Sequence, residues 1–166
     1  MHRQYFLALT DYVIWANNIV IEWLNQITDE QWEQVITSSF SSIKQTAIHI
    51  ISAEKIWIDY WKNIPDPVFL SAEFKGTKKE AIEIWKRTSA DLKNLMEAYP
   101  EEHYQEPVTF RWPRGGEGSM EFWQTFFHFI NHATYHRGQL VTLLRHAGFT
   151  KVASTDLATY YRIKNS

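Results

Sequence analysis

The sequence predicts an all-α protein built as a four-helix bundle, and three observations carry that prediction. Apolar residues recur at steps of three and four along four stretches of about 20 residues or more, the stripe of an amphipathic helix. Hydrophobic residues make up 45% of the chain, with only six glycines and five prolines in 166 residues, a compact globular composition with no case for disorder. Only one stretch, between the third and fourth helical segments, sets β-favouring residues around a Gly-rich turn.

The elements follow in order. Positions 5, 9, 13, 16, 20, 23 and 27 form one apolar stripe, giving a first helix over about residues 2–26. "TDEQ" at 28–31 has capping-box form and predicts a short extra turn. Ser42, with Gln45 three residues on, opens a second helix to about residue 63, and "IPDPVF" stops it. A third runs over about 77–98, ending before Pro100. "EPVTFRWPRGGEGSMEF" predicts a small hairpin or extended crossover. The fourth helix spans about 119–147, with Gly148 placed to end it, and a short last helix fits 155–163. With no internal repeat, residues 1–166 read as a single domain.

Composition narrows the chemistry. There is no cysteine, so disulfides, iron–sulfur clusters and a protein thiol nucleophile are excluded, and a metal would have to be held by His, Asp or Glu. A net charge of −2 without a basic run gives no support for a nucleic-acid or anionic-membrane partner. The N-terminal stretch lacks the pattern of a signal peptide, and no apolar run reaches the roughly 20 residues of a membrane span. The expectation is a cytoplasmic protein.

"FFHFINHATYHRGQL" places His128, His132 and His136 at intervals of four. At 100° per residue they lie within about 80° of one another on the helix surface. Chance placement of seven histidines predicts about 0.3 such pairs in the chain, and two are present. They are either hydrogen-bonded core imidazoles or part of a metal site, and the latter needs a ligand from another helix. His49, at the border of the second helix's apolar arc, is the best candidate. His2, His103 and His146 have no comparable setting. Glu54 lies inside that same arc, where an unpaired carboxylate is costly. It has three readings: pairing with an Arg or Tyr, orienting a ligand histidine, or acting as a general base.

His49 together with "NHATYHRGQL" makes the chain resemble the DinB family of metal-binding four-helix bundles, grouped with YfiT-like metal-dependent hydrolases. "YVIWANN", "HIISAEKIW" and the tail "STDLATYY" extend the resemblance over nearly the whole chain. The resemblance implies one divalent transition metal held by His49, His132 and His136, with His128 one turn earlier and not a ligand. It also implies a homodimer. Relatives include transferases acting through low-molecular-weight thiols.

Three neutral imidazoles leave an ion its full positive charge, so an open fourth position would lower the pKa of a bound water or thiol. Zn, Ni and Fe all accept imidazole. "HATYH" lacks the Glu of a metalloprotease, so a hydrolase would need Glu54 as base, whereas thiol transfer from an external thiol needs less help. Trp57 and Tyr135 can line a pocket or pack in the core. Arg137 can make a structural salt bridge or bind an anionic substrate group. Gly138 is expected at a close helix–helix contact. The expected function is a metal-dependent transferase using a small thiol, or a hydrolase of a small molecule. The alternative is a non-enzymatic bundle with a structural metal.

Overall fold

The computed structural model describes residues 2–113 and 115–166. The chain is mostly helical. The first helix, α1 (Arg3–Gln26), is followed by the single turn α2 (Asp29–Glu33), where Thr28 and Gln31 form a complete capping box. Ser42 caps α3 (Ile43–Trp61), its hydroxyl accepting from the Gln45 N–H at 3.0 Å. After "IPDPVF" comes a four-residue turn, α4 (Leu70–Glu73), then α5 (Lys78–Ala98), opened by a capping box of Thr77 and Glu80. A 3-10 turn over Glu101–Gln105 leads into the strands β1 (Pro107–Arg111) and β2 (Glu117–Glu121). The chain closes with α6 (Phe122–His146) and α7 (Leu157–Lys164).

The hairpin is antiparallel, with Pro107 opposite Glu121 and Arg111 opposite Glu117. Its turn uses Gly115 and Gly116 at φ +96° and +87°, a region costly for any side chain. The fourth long helix therefore begins at Phe122 and not near 119, because residues 117–121 pair with β1. Sequence periodicity gives no warning of α4, a single turn too short to show a stripe.

The long helices close on one another: α3 packs against α5 and α6, and α1 packs against α5 and α6. Two apolar clusters fill the space between them. One includes Leu24, Trp32, Ile43, Trp85 and Leu144; the other includes Phe6, Trp61, Leu92, Phe122 and Phe126. Along each long helix a buried polar residue falls between the two clusters: Asn17, Glu54, Ser89 and Arg137. Asn17 donates to the Glu54 carboxylate at 2.9 Å and to the Ser89 hydroxyl at 3.2 Å, and the Trp85 indole donates to the same Glu54 oxygen at 3.0 Å. Arg137 donates to the Tyr12 hydroxyl at 3.1 Å and to Thr134 at 3.0 Å. Burial pushes the Glu54 carboxyl up to about 7, against the opposing pull of the Arg137 charge and of its two hydrogen bonds.

Gly138 departs from expectation. A Cβ built there meets nothing within 4 Å, so no close helix contact requires a glycine, and nothing in the structure explains it.

Candidate metal centre

The contact between α3 and α6 brings the histidines together. His49 projects from α3; His132 and His136 project from successive turns of α6. His49 Nε2 lies 3.1 Å from His132 Nε2 and 3.1 Å from His136 Nε2. Among the described residues this is the one group of three His, Asp or Glu whose ligand atoms all fall within 4.8 Å of one another. Nitrogens 2.0–2.1 Å from a common tetrahedral ion stand roughly 3.3–3.4 Å apart, so the two measured spacings come within a few tenths of an ångström of a ligand set.

The electrostatics suit a cation. Burial, and secondarily the neighbouring His136, hold His49 down to about 4. Burial, then the neighbouring histidines, hold His132 down to about 3. Burial also lowers His136, partly offset by Gln139. All three are thus neutral near pH 7, the form in which imidazole binds metal. His136 Nδ1 sits 2.7 Å from the Gln139 side-chain oxygen, which can only accept. Nδ1 therefore carries the proton, and Nε2 presents its lone pair to the centre of the triad. The donor set fits a divalent transition ion.

Two features here escape a reading of histidine spacing. Gln139 lies inside the "HRGQ" string, three residues after His136 on the same face, so its orienting role was available as an i,i+3 pair. Phe40 stacks on His49 with ring centroids 4.3 Å apart and meets His136 edge-on at 5.6 Å. It comes from the loop before α3 and has no periodic signal.

The other candidate residues are distributed differently. His128 stands outside the triad, exposed, with its ring 5.7 Å from His132 and edge-on to Trp57 at 5.4 Å. Trp57 is buried in the wall of a cavity that His49 and His132 also line. Tyr135 is 63% exposed, with its ring 5.0 Å from that of His136, and lines neither cavity beside the triad. Arg137 is 1% exposed and faces the buried polar layer, because one residue past His136 is a 100° turn toward the core. It is therefore not a substrate-facing cation. Glu54 lies five residues, about 140°, round α3 from His49, and its hydrogen bonds go to Asn17 and Trp85 on α1 and α5, none to a histidine.

Two cavities flank His49. One of about 350 Å³ has walls mainly of aromatic and aliphatic side chains and reaches both His49 and His132. The other, of about 590 Å³, is lined by Glu33, Lys44, Gln45 and Phe40 and also reaches His49. The triad thus borders an apolar cavity at His49 and His132 and a more polar one at His49.

Comparison with known proteins gives consistent results. The family profile described as "DinB family" matches residues 1–164. The chain is 30% identical over 159 residues to "Protein DinB" of Bacillus subtilis (strain 168), covering 92% of this chain and 91% of that protein. A DinB-like protein from Bacillus cereus superposes with a TM-score of 0.73 at 20% identity, over 93% of this chain and 99% of that one. A DinB-like protein from Bacillus subtilis gives a TM-score of 0.64 at 12% identity, over 89% and 97%.

Proposed function

The chain belongs to the DinB family, and from that premise we propose that it is a metal-dependent enzyme carried on a four-helix bundle. The convergence of three Nε2 atoms within hydrogen-bonding distance of one another is the observation that carries this reading. A divalent ion held by three neutral imidazoles supplies a strong positive charge to whatever fills its remaining position.

The chain's own residues favour one reaction class. Hydrolysis calls for a base near the reacting centre, yet among the described residues the cavity reaching His49 and His132 has no Asp or Glu in its wall, Glu33 in the second cavity pairs with Lys44 at 2.7 Å, and Glu54 is bonded elsewhere. Transfer of a low-molecular-weight thiol to a small electrophile needs no such base once the thiol is ionised, and this chain has no cysteine to compete. Thiol transfer is therefore preferred over hydrolysis. The cavities that reach the triad argue against a purely structural metal, whose ligand set is closed. His49, His132 and His136 hold the ion, Gln139 fixes the His136 tautomer, and Phe40 stacks on His49. Zn, Ni and Fe are the candidate ions, and a cytoplasmic homodimer completes the reading.

The test is metal content by plasma mass spectrometry, on untagged protein purified without chelator, for wild type and His132→Ala. Near one equivalent of a transition metal in the wild type, lost in the variant, supports the centre. Metal-dependent coupling of cysteine to 1-chloro-2,4-dinitrobenzene would then support transfer. Absence of metal, with none taken up on adding Zn²⁺ or Ni²⁺, would sink the metalloenzyme.

A further inference from the structure

We propose that the cavity beside the triad is the binding site for a neutral small molecule with a planar apolar body, its one polar end directed at His49 and His132. This rests on the metal-centre reading only for what the polar end meets; the choice of body is set by the cavity itself.

The walls come from three parts of the chain. Trp57 and Tyr60 stand on α3, Phe69 precedes α4, and Phe110 and Trp112 come from the hairpin. Trp57 meets Phe110 edge-on at 5.0 Å, and Phe110 meets Trp112 edge-on at 4.8 Å. Such surfaces reward the removal of apolar area from water and little else. Trp112 remains 47% exposed at the hairpin end, so a ligand in the cavity would cover a ring that is otherwise wet. The volume of about 350 Å³ lies at the small end of ligand sites.

Polar groups in the wall are already engaged with one another. The Ser52 hydroxyl donates to Ser71 at 3.3 Å and accepts the Ser71 N–H at 3.0 Å. The Tyr60 hydroxyl accepts the Arg111 N–H at 3.1 Å. Arg111, the one Lys or Arg in the wall among the described residues, pairs with Asp66 at 3.0 Å and lies 3.9 Å from Glu117. An anionic ligand would have to compete with two carboxylates for that guanidinium, and among the described residues a cationic one finds no acidic side chain in the wall. The side chains of the wall thus favour a neutral ligand, and its polar end meets the imidazoles that line the cavity, His49 and His132 with His128 beside them.

The experiment is calorimetric titration of metal-free protein at pH 7.5 with 2-naphthol and with 2-naphthoate, which share a ring system and differ in charge. The expected result is one 2-naphthol site per chain, with affinity at least about tenfold above 2-naphthoate, and a loss of at least about tenfold in Ala53→Phe and Ala72→Phe, which fill the cavity. Circular dichroism melting checks folding, and the exposed Ala72 on α4 carries the test should Ala53→Phe unfold. Equal or tighter binding of 2-naphthoate, no 2-naphthol binding, or unchanged affinity in a folded variant overturns the proposal. Zinc uptake measured in parallel separates the two readings. Zinc without naphthol selectivity removes the substrate class and leaves the metal centre; naphthol selectivity without zinc does the reverse.

Discussion

Gln139 shows how much one uncharged side chain can govern at this centre. By accepting a hydrogen bond from the His136 Nδ1–H it selects the tautomer that points a lone pair inward. Gln139→Leu should therefore lower zinc affinity by about 10- to 100-fold, read by competition with a chromophoric chelator, with helix content unchanged. An unaltered affinity would remove Gln139 from the site. His128→Ala, by contrast, should keep the full metal content, because its ring lies outside the triad. Glu54 has a different consequence. Its carboxyl is raised from an ordinary 4.5 to about 7, so the folded state holds a proton that the unfolded chain releases. Stability from this group is fully present below pH 4.5, is lost as pH rises toward 7, and is constant beyond; the whole change is about 3 kcal/mol. Glu54→Gln should flatten that decline in urea midpoints measured between pH 5 and 7.5, and an identical slope in the variant would exclude Glu54 as its source. The histidine spacing in the sequence is informative because two turns of one helix fix it. The direction of Glu54 is not, since an apolar arc says that a residue is buried but not which neighbour it meets.

At the level of elements, local sequence signals place most boundaries. Thr77 and Glu80 satisfy each other's backbone at the start of α5, with the Thr77 hydroxyl accepting the Glu80 N–H at 3.2 Å and the Glu80 carboxylate accepting the Thr77 N–H at 2.7 Å. Thr77→Ala should cost about 1 kcal/mol of stability by urea denaturation while leaving metal content unchanged, since the triad sits on α3 and α6. A parallel loss of metal would mean that α5 positions the histidines. The same signals are legible in "TDEQ" and at Ser42, where hydroxyl and glutamine stand three residues apart. The start of α6 is harder to see, because "GSMEF" suits a strand or a helix equally until β1 is there to pair with it. Phe40 and α4 are harder still: both lie in connections whose conformation is set by what they pack against.

For the molecule as a whole, the triad ties α3 to α6, so ion binding and folding are linked. Zinc at 100 times its dissociation constant should raise the unfolding free energy by about 2.7 kcal/mol in wild type and by nothing in His132→Ala. Equal stabilisation of both would place the zinc elsewhere. The long helices are legible from periodicity alone, because burial of a stripe demands them, but the division of the core into two apolar clusters is not. The cavities are not, because a wall of Trp57, Phe110 and Trp112 joins positions that no local pattern connects.

His49 and His132 are separated by 83 positions in a chain that has no cysteine. An ion gripped by both would act as a reversible cross-link around a loop containing α4, α5 and the hairpin. A covalent tie of that span restricts the unfolded chain by about 4.5 kcal/mol in the loop-entropy picture, and a coordinate tie that survives unfolding would claim part of the same effect. Chelation would then do to this protein what reduction does to a disulfide-bonded one. It would remove the tie that the triad makes between α3 and α6.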